Sequence, residues 1–315
     1  MQRTFRKWPG SKLESENVEV HVKVALFHNE DAGDGTSVDE IRALLERHGH
    51  HLVQVVDKEW SAEQILDKHT DLVVAAGGDG TVATAARVLA GRAIPLAILP
   101  LGTANNMARS LCSEAPLDTL IEGWDHAEPQ PLDLGTARGS WGERVFFESI
   151  GAGLIPAGIA AAKAQQSATS KPADAVGIFR DALARLQPQR WTIALDGLST
   201  TGEFLMVEVL NMPSIGPNLV LTDEANPGDG SFSVVIATEH HRDVLDEYLR
   251  HRIDGGERPL ALTPRHAKRI EILGWSDVHV DDQLLRTNTS ETVSIAIEPA
   301  ALTFLPGPCL APSRS

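Results

Sequence analysis

The chain has 315 residues, 42% of them hydrophobic, enough for two domains and a sizeable core. Forty-three acidic residues against 28 basic ones give a formal net charge of -15, which argues against broad nucleic-acid binding and charge-driven adhesion to anionic lipid. No segment approaches the roughly 20 consecutive apolar residues of a membrane helix, and the polar extension at 1–21 lacks a signal-peptide core, so the expectation is a soluble cytoplasmic protein with at most peripheral membrane contact.

From Val22 the chain alternates short apolar runs with amphipathic ones: HVKVALF, SVDEIRALLERHG, HLVQVV, SAEQILDKH, LVVAA, TVATAARVLAG and IPLAILP. This order predicts an α/β domain over 22–138, with a parallel sheet covered by helices. In its first helix Ser37 is placed to cap the amino end, Ile41, Leu44 and Leu45 share a face, and Gly49 supplies the stop. After PLDLGTARG the pattern becomes RVFFESIGAG, WTIALDG, GEFLMVEVLNM, GSFSVVIAT, RIEILG, DVHVDD and TVSIAIEPAALTFLPG. Short runs between turn residues predict an antiparallel β-sandwich over 139–300, with two helices inserted between Ile155 and Pro188. A closing segment, 301–315, is expected to return to the first domain. Cys112 and Cys309 lack C-x-x-C spacing, so reduced thiols are the default.

The stretch LVVAAGGDGTVATAARVLAG carries the strongest chemical signal. A buried strand ends at the sheet edge where open α/β folds bind ligands, and Gly77, Gly78 and Gly80 allow a sharp turn with close approach of phosphate oxygens. The pattern is neither a P-loop nor a dinucleotide fingerprint. Asp79 would repel bare phosphate unless a cation bridges the two, which suggests metal-assisted phosphate chemistry; the alternative is that Asp79 caps its own helix. A second strand-turn-helix follows in ILPLGTANNMARSL, where Thr103 and Asn105 offer neutral hydrogen bonds to a ribose, a base or phosphate.

G-G-D-G-T followed by P-L-G-T-A-N-N resembles the diacylglycerol kinase catalytic family, which includes sphingosine kinases and bacterial lipid kinases and shares its fold with NAD kinases. VFFESIGAG, NPGDGSFSVVI, VHVDDQLL and the closing VSIAIEPAALTFLPG extend the similarity from about Val22 to Pro308. The resemblance implies an amino-terminal Rossmann-like domain holding ATP and a carboxy-terminal β-rich domain admitting a lipid hydroxyl. It implies that Gly77, Gly78, Asp79, Gly80 and Thr81 face nucleotide phosphates and that Gly102, Thr103 and Asn105 complete the nucleotide site. It further implies, as in some bacterial members, a structural Mg²⁺ held by Asn226 and Ser231 through backbone carbonyls and by Asp229 through its side chain. The acceptor hydroxyl falls to Asp281 or Asp282, because Gln283 stands where the family has glutamate and cannot take a proton at neutral pH. Asn106 and Asp34 also depart from the family's residues.

These departures motivate a second expectation, a nucleotide-binding homologue with weak or no kinase activity. NAD kinase ranks below it, because GTANN replaces that family's N-E pair. His48, His50 and His51 near Asp57, and His240 with His241, fit no standard metal spacing and are expected at the surface. The basic patches RHRIDGGER and PRHAKR are read as solvated faces that can reach lipid headgroups. A homodimer through the sheet edges of the second domain stays open.

Overall fold

The computed structural model describes residues 22–29, 35–56, 69–111, 113–165 and 172–308. The extension 1–21, Asp34, Asp57, most of SAEQILDKH and both cysteines lie outside the described residues. The chain divides into two compact units, one of residues before Asp133 together with those from Ala300 onward, the other Asp133–Pro299.

In the first unit β1 (Lys23–His28), β2 (His51–Val56), β3 (Leu72–Gly77) and β4 (Leu96–Pro100) form a parallel sheet in the order β2-β1-β3-β4. Among the described residues it holds the helices α1 (Val38–Arg47), α2 (Asp79–Leu89), α3 (Asn106–Ser110) and α4 (Leu117–Gly123). Helix α1 is capped by Ser37 as its sequence predicts, and the structure adds a reciprocal capping box in which the Glu40 amide donates to the Ser37 side chain and the Ser37 amide donates to the Glu40 carboxylate. Gly49, at φ 76°, takes the left-handed conformation just beyond its end. All six residues of β3 are buried, as a central strand covered on both faces requires. The core joins Val24, Leu26 and Val74 to Ile41, Leu45 and Trp124. His50, expected at the surface, is buried against the Trp124 ring at 5.8 Å, and burial lowers its pKa.

The second unit holds most of β5 (Gln130–Gly139), then β6 (Gly142–Phe146), β7 (Ser149–Gly153), α5 (Leu154–Ala164) and α6 (Pro172–Arg185). There follow β8 (Gln189–Leu195), β9 (Leu198–Phe204), β10 (Met206–Leu210), β11 (Ser214–Ile215), β12 (Leu219–Val220) and β13 (Phe232–Ala237). Helix α7 (Arg242–Ile253), β14 (Arg265–Ala267), β15 (Arg269–Leu273), β16 (Asp277–Val280), β17 (Gln283–Arg286) and β18 (Thr292–Phe304) complete it. One antiparallel sheet runs β18-β15-β8-β9, with β5 on β18 and β6 on β5; the other runs β14-β13-β10-β7-β16-β17. At its far end β18 returns to the first unit, where Phe304 pairs in parallel with Leu96.

Strand alternation divides the core of this unit in two. Ile150, Ala152, Val207, Val209, Val278 and Val280 join Trp191, Trp275 and Phe232 between the sheets. Met206 and Leu210 point the other way, packing with Ile155, Val176 and Phe179 of α5 and α6 and with Leu245 of α7. The amino-terminal α/β unit and the sandwich agree with the sequence prediction.

Candidate active site

The two glycine motifs end the adjacent parallel strands β3 and β4, so their turns share one sheet edge. They touch: a Cβ on Gly102 would collide with the backbone of Gly78, and one on Gly77 would collide with the Thr81 side chain. The Leu101 amide donates to the Gly77 carbonyl at 3.0 Å, and the Thr81 amide donates to the Gly78 carbonyl at 2.9 Å, tightening the first turn into α2. Asn105 holds the second turn. At φ 50° its side chain reaches back to accept from the Gly102 amide at 3.0 Å and donate to the Gly102 carbonyl at 2.8 Å. Thr103 remains exposed.

Asp79 is the first residue of α2 and is partly buried. Its carboxylate caps α3, accepting from the amide of Met107 at 2.9 Å and from that of Asn106. It thereby ties the first glycine turn to the helix that follows the second. Burial raises its pKa above 3.8, opposed by these amides and by the charge of Arg109.

In the second unit, Asp281 at φ 49° turns the chain between β16 and β17. Its carboxylate is buried and accepts from the amides of Phe147 (3.1 Å), Glu148 (2.8 Å) and Ser149 (3.4 Å), while its own amide donates to the Ser149 carbonyl. Asp282 and Gln283 are exposed beside it, and the Lys163 ammonium of α5 donates to the Asp282 carbonyl.

Asn226, Asp229 and Ser231 occupy the turn before β13. Asp229 accepts from the Ser231 amide (2.9 Å) and hydroxyl (3.0 Å) through one carboxylate oxygen, and the Asn226 side chain accepts from the Gly228 amide. Carbonyls with an exposed carboxylate are an all-oxygen donor set that fits a hard divalent cation. No cluster of three or more His, Cys, Asp and Glu suited to a metal occurs among the described residues.

Buried side chains that sequence reasoning missed tie these turns together. Asp133 accepts from the Gly230 amide at 2.7 Å through its carboxylate and from Asn211 at 2.9 Å through its carbonyl. Asn211 also donates to the Phe147 carbonyl, and Phe147 donates to Asp281. The D-G-S turn and the D-D-Q turn are thus joined by one run of hydrogen bonds. Beneath them His279 bridges the Asp281 carbonyl at 2.9 Å and the Glu208 carboxylate at 2.6 Å, with the side chains of His279 and Glu208 both buried. Burial, the largest influence on His279, disfavours its charge; Glu208 and the Asp281 carbonyl outweigh it, so the pKa lies above 6.5. The signal in the sequence was a lone acid inside FLMVEVLNM, where apolar residues occupy both faces of the strand; VHV carried none, because alternation puts His279 on the face of Asp277 and Asp281.

A parallel α/β unit with paired glycine turns is followed by an antiparallel sandwich, the fold class that solved structures of diacylglycerol kinases share with this chain. A family model described as the diacylglycerol kinase catalytic domain matches residues 23–137, so this segment is similar to that family. A diacylglycerol kinase of Mycobacterium tuberculosis is 27% identical over 71% of this chain and 75% of its own length. A protein named "Probable lipid kinase YegS-like" from Xanthomonas axonopodis is 29% identical over 90% of this chain and 96% of its own. The solved structure of a diacylglycerol kinase from Bacillus anthracis covers 92% of this chain and 98% of its own, with a TM-score of 0.68 at 20% identity, a likeness of fold. The resemblance drawn from the motifs holds, and the relatives are enzymes named as kinases. No described helix is long and apolar enough to cross a membrane.

Proposed function

We propose that the chain is an ATP-dependent lipid kinase that phosphorylates a hydroxyl of diacylglycerol or a related lipid. The observation that carries this reading is the contact of the two glycine turns, locked by Asp79 on the Met107 amide. Bare backbone at the end of a parallel sheet is suited to polyphosphate. Gly77, Gly78, Gly80 and Thr81 line the phosphates in this proposal, with Gly102, Thr103 and Asn105 completing the nucleotide site. Asp79 acts as a positioning residue that keeps both turns in register.

On the acceptor side the candidates reduce to Asp282. Asp281 already receives three amides, so its carboxylate organises the turn, whereas Asp282 is exposed. Asp282 takes the proton of the lipid hydroxyl, whose oxygen attacks the γ-phosphorus; the bond from γ-phosphorus to the β–γ bridging oxygen breaks, ADP leaves and a phosphomonoester forms. Mg²⁺, when bound, supplies charge neutralisation, and Asp229 with the Asn226 and Ser231 carbonyls would hold it.

The test is transfer of labelled phosphate from ATP with Mg²⁺ to diacylglycerol, with sphingosine and NAD as competing acceptors. Labelled lipid is expected, with at least a hundredfold loss in Asp282→Asn. Tight ATP binding with no transfer to any acceptor would instead establish the nucleotide-binding homologue that Gln283 favours. Transfer to NAD alone would replace the lipid reading. Whether the protein works as a dimer is a separate matter, decided by its mass in solution.

A further inference from the structure

The two sheets of the sandwich part at one end, and a cavity of about 620 Å³ opens between them. That volume is ample for a small-molecule ligand. Its floor is apolar, built from Ile193 of β8, Phe204 of β9, and Val234 and Ile236 of β13. Leu198, His241 and Arg265 stand at the rim.

The chemistry of this lining is unusual for the molecule. None of the described lining residues is acidic, although the whole chain carries a net charge of -15. Arg265 is exposed and has no ion-pair partner among the described residues, whereas its neighbour His266 is paired with Glu224. Leu198 sits beside the β8–β9 turn with 82% of its surface exposed, the most exposed large hydrophobic side chain among the described residues. A single exposed leucine carries little meaning by itself. Here it extends an apolar slot that ends at a free cation. A neutral apolar ligand would leave the guanidinium unused, and a small soluble anion would leave the floor wet. Both parts are satisfied by an acyl chain bearing an anionic head.

The cavity is separate from the D-D-Q turn. Strand β13 lies three strands from β16 in sheet order, about 14 Å at ordinary strand spacing. Glu208 and His279 also project to the helix-covered face of that sheet, while the cavity opens on the face turned to the other sheet.

We propose that this cavity binds an anionic amphiphile, with its acyl chain between the sheets and its head on Arg265, at a site distinct from that of the phosphoryl acceptor. A free fatty acid and an acidic phospholipid share this chemistry.

The experiment titrates the full-length protein with laurate, with dodecanol of equal chain length, and with butyrate bearing the same head. A parallel arm sediments the protein with phosphatidylglycerol or phosphatidylcholine vesicles. Laurate is expected to bind one per chain, with dodecanol and butyrate each at least tenfold weaker. Arg265→Ala and Leu198→Asp, both surface changes that should leave the melting temperature in place, are each expected to weaken laurate at least tenfold. Co-sedimentation with phosphatidylglycerol alone, lost in both variants, would assign the head and chain to a membrane lipid; laurate binding without sedimentation would assign them to a free acid. Laurate binding that survives both substitutions, dodecanol binding as tight as laurate, or no binding of laurate or anionic vesicles would overturn the proposal. None of these readouts needs phosphoryl transfer, so they stand or fall apart from the kinase reading.

Discussion

Asp79 and His279 both have their pKa values raised by their surroundings, and because one is an acid and the other a base their pH signatures are opposite. Burial raises the Asp79 pKa, so the folded state holds its proton to higher pH than the unfolded chain, and ionising it as pH climbs above 3.8 weakens the fold. Asp79→Asn keeps an oxygen for the Met107 amide without the charge. Its stability relative to wild type is therefore expected to improve as pH rises through and above the carboxylate range, checked by urea midpoints at pH 4 and pH 7. His279 behaves in the reverse sense. Its raised pKa gives a contribution that is complete below 6.5 and is lost as pH rises through the native value. The advantage of wild type over Glu208→Gln should shrink between pH 6 and pH 9. Glu208→Ala, which strands a buried imidazole, is expected to cost about 3–5 kcal/mol by urea unfolding.

At the scale of elements, glycine has different meanings in the turns and in the helices. Gly102 lies against the Gly78 backbone, so Gly102→Ala must push two turns apart; a loss of about 1–3 kcal/mol is expected, with weaker ATP binding by calorimetry. Gly177 in α6 has open space where a Cβ would go, and Gly177→Ala is expected to raise stability by about 0.5–1 kcal/mol with ATP binding unchanged. If both substitutions alter ATP binding equally, the glycine contact is not what shapes the nucleotide turn. The capping box of α1 and the alternation of β10 were legible because each depends on residues a few positions apart. The burial of His50 against Trp124 was not, because its partner lies 74 positions away on the C-terminal side of α4.

For the whole molecule, a chelator is expected to stop phosphate transfer, and Asp229→Ala is expected to raise the Mg²⁺ concentration needed for half-maximal transfer by at least fivefold. An unchanged Mg²⁺ requirement in that variant would remove the turn before β13 from metal binding. What the amino-acid sequence determined by itself was the succession of a parallel α/β unit and an antiparallel sandwich, together with the two glycine turns that end adjacent strands. Hydrophobic period and turn chemistry are local properties, and they survive without knowledge of neighbours. Only tertiary structure decided which acids are free. Asp79 finds its amide 28 residues away, Asp281 finds its amides more than 130 residues away, and Glu208 meets His279 across 71. Those partners are set by sheet order and strand register, which bring distant backbone groups within hydrogen-bonding distance of a buried carboxylate that must be satisfied.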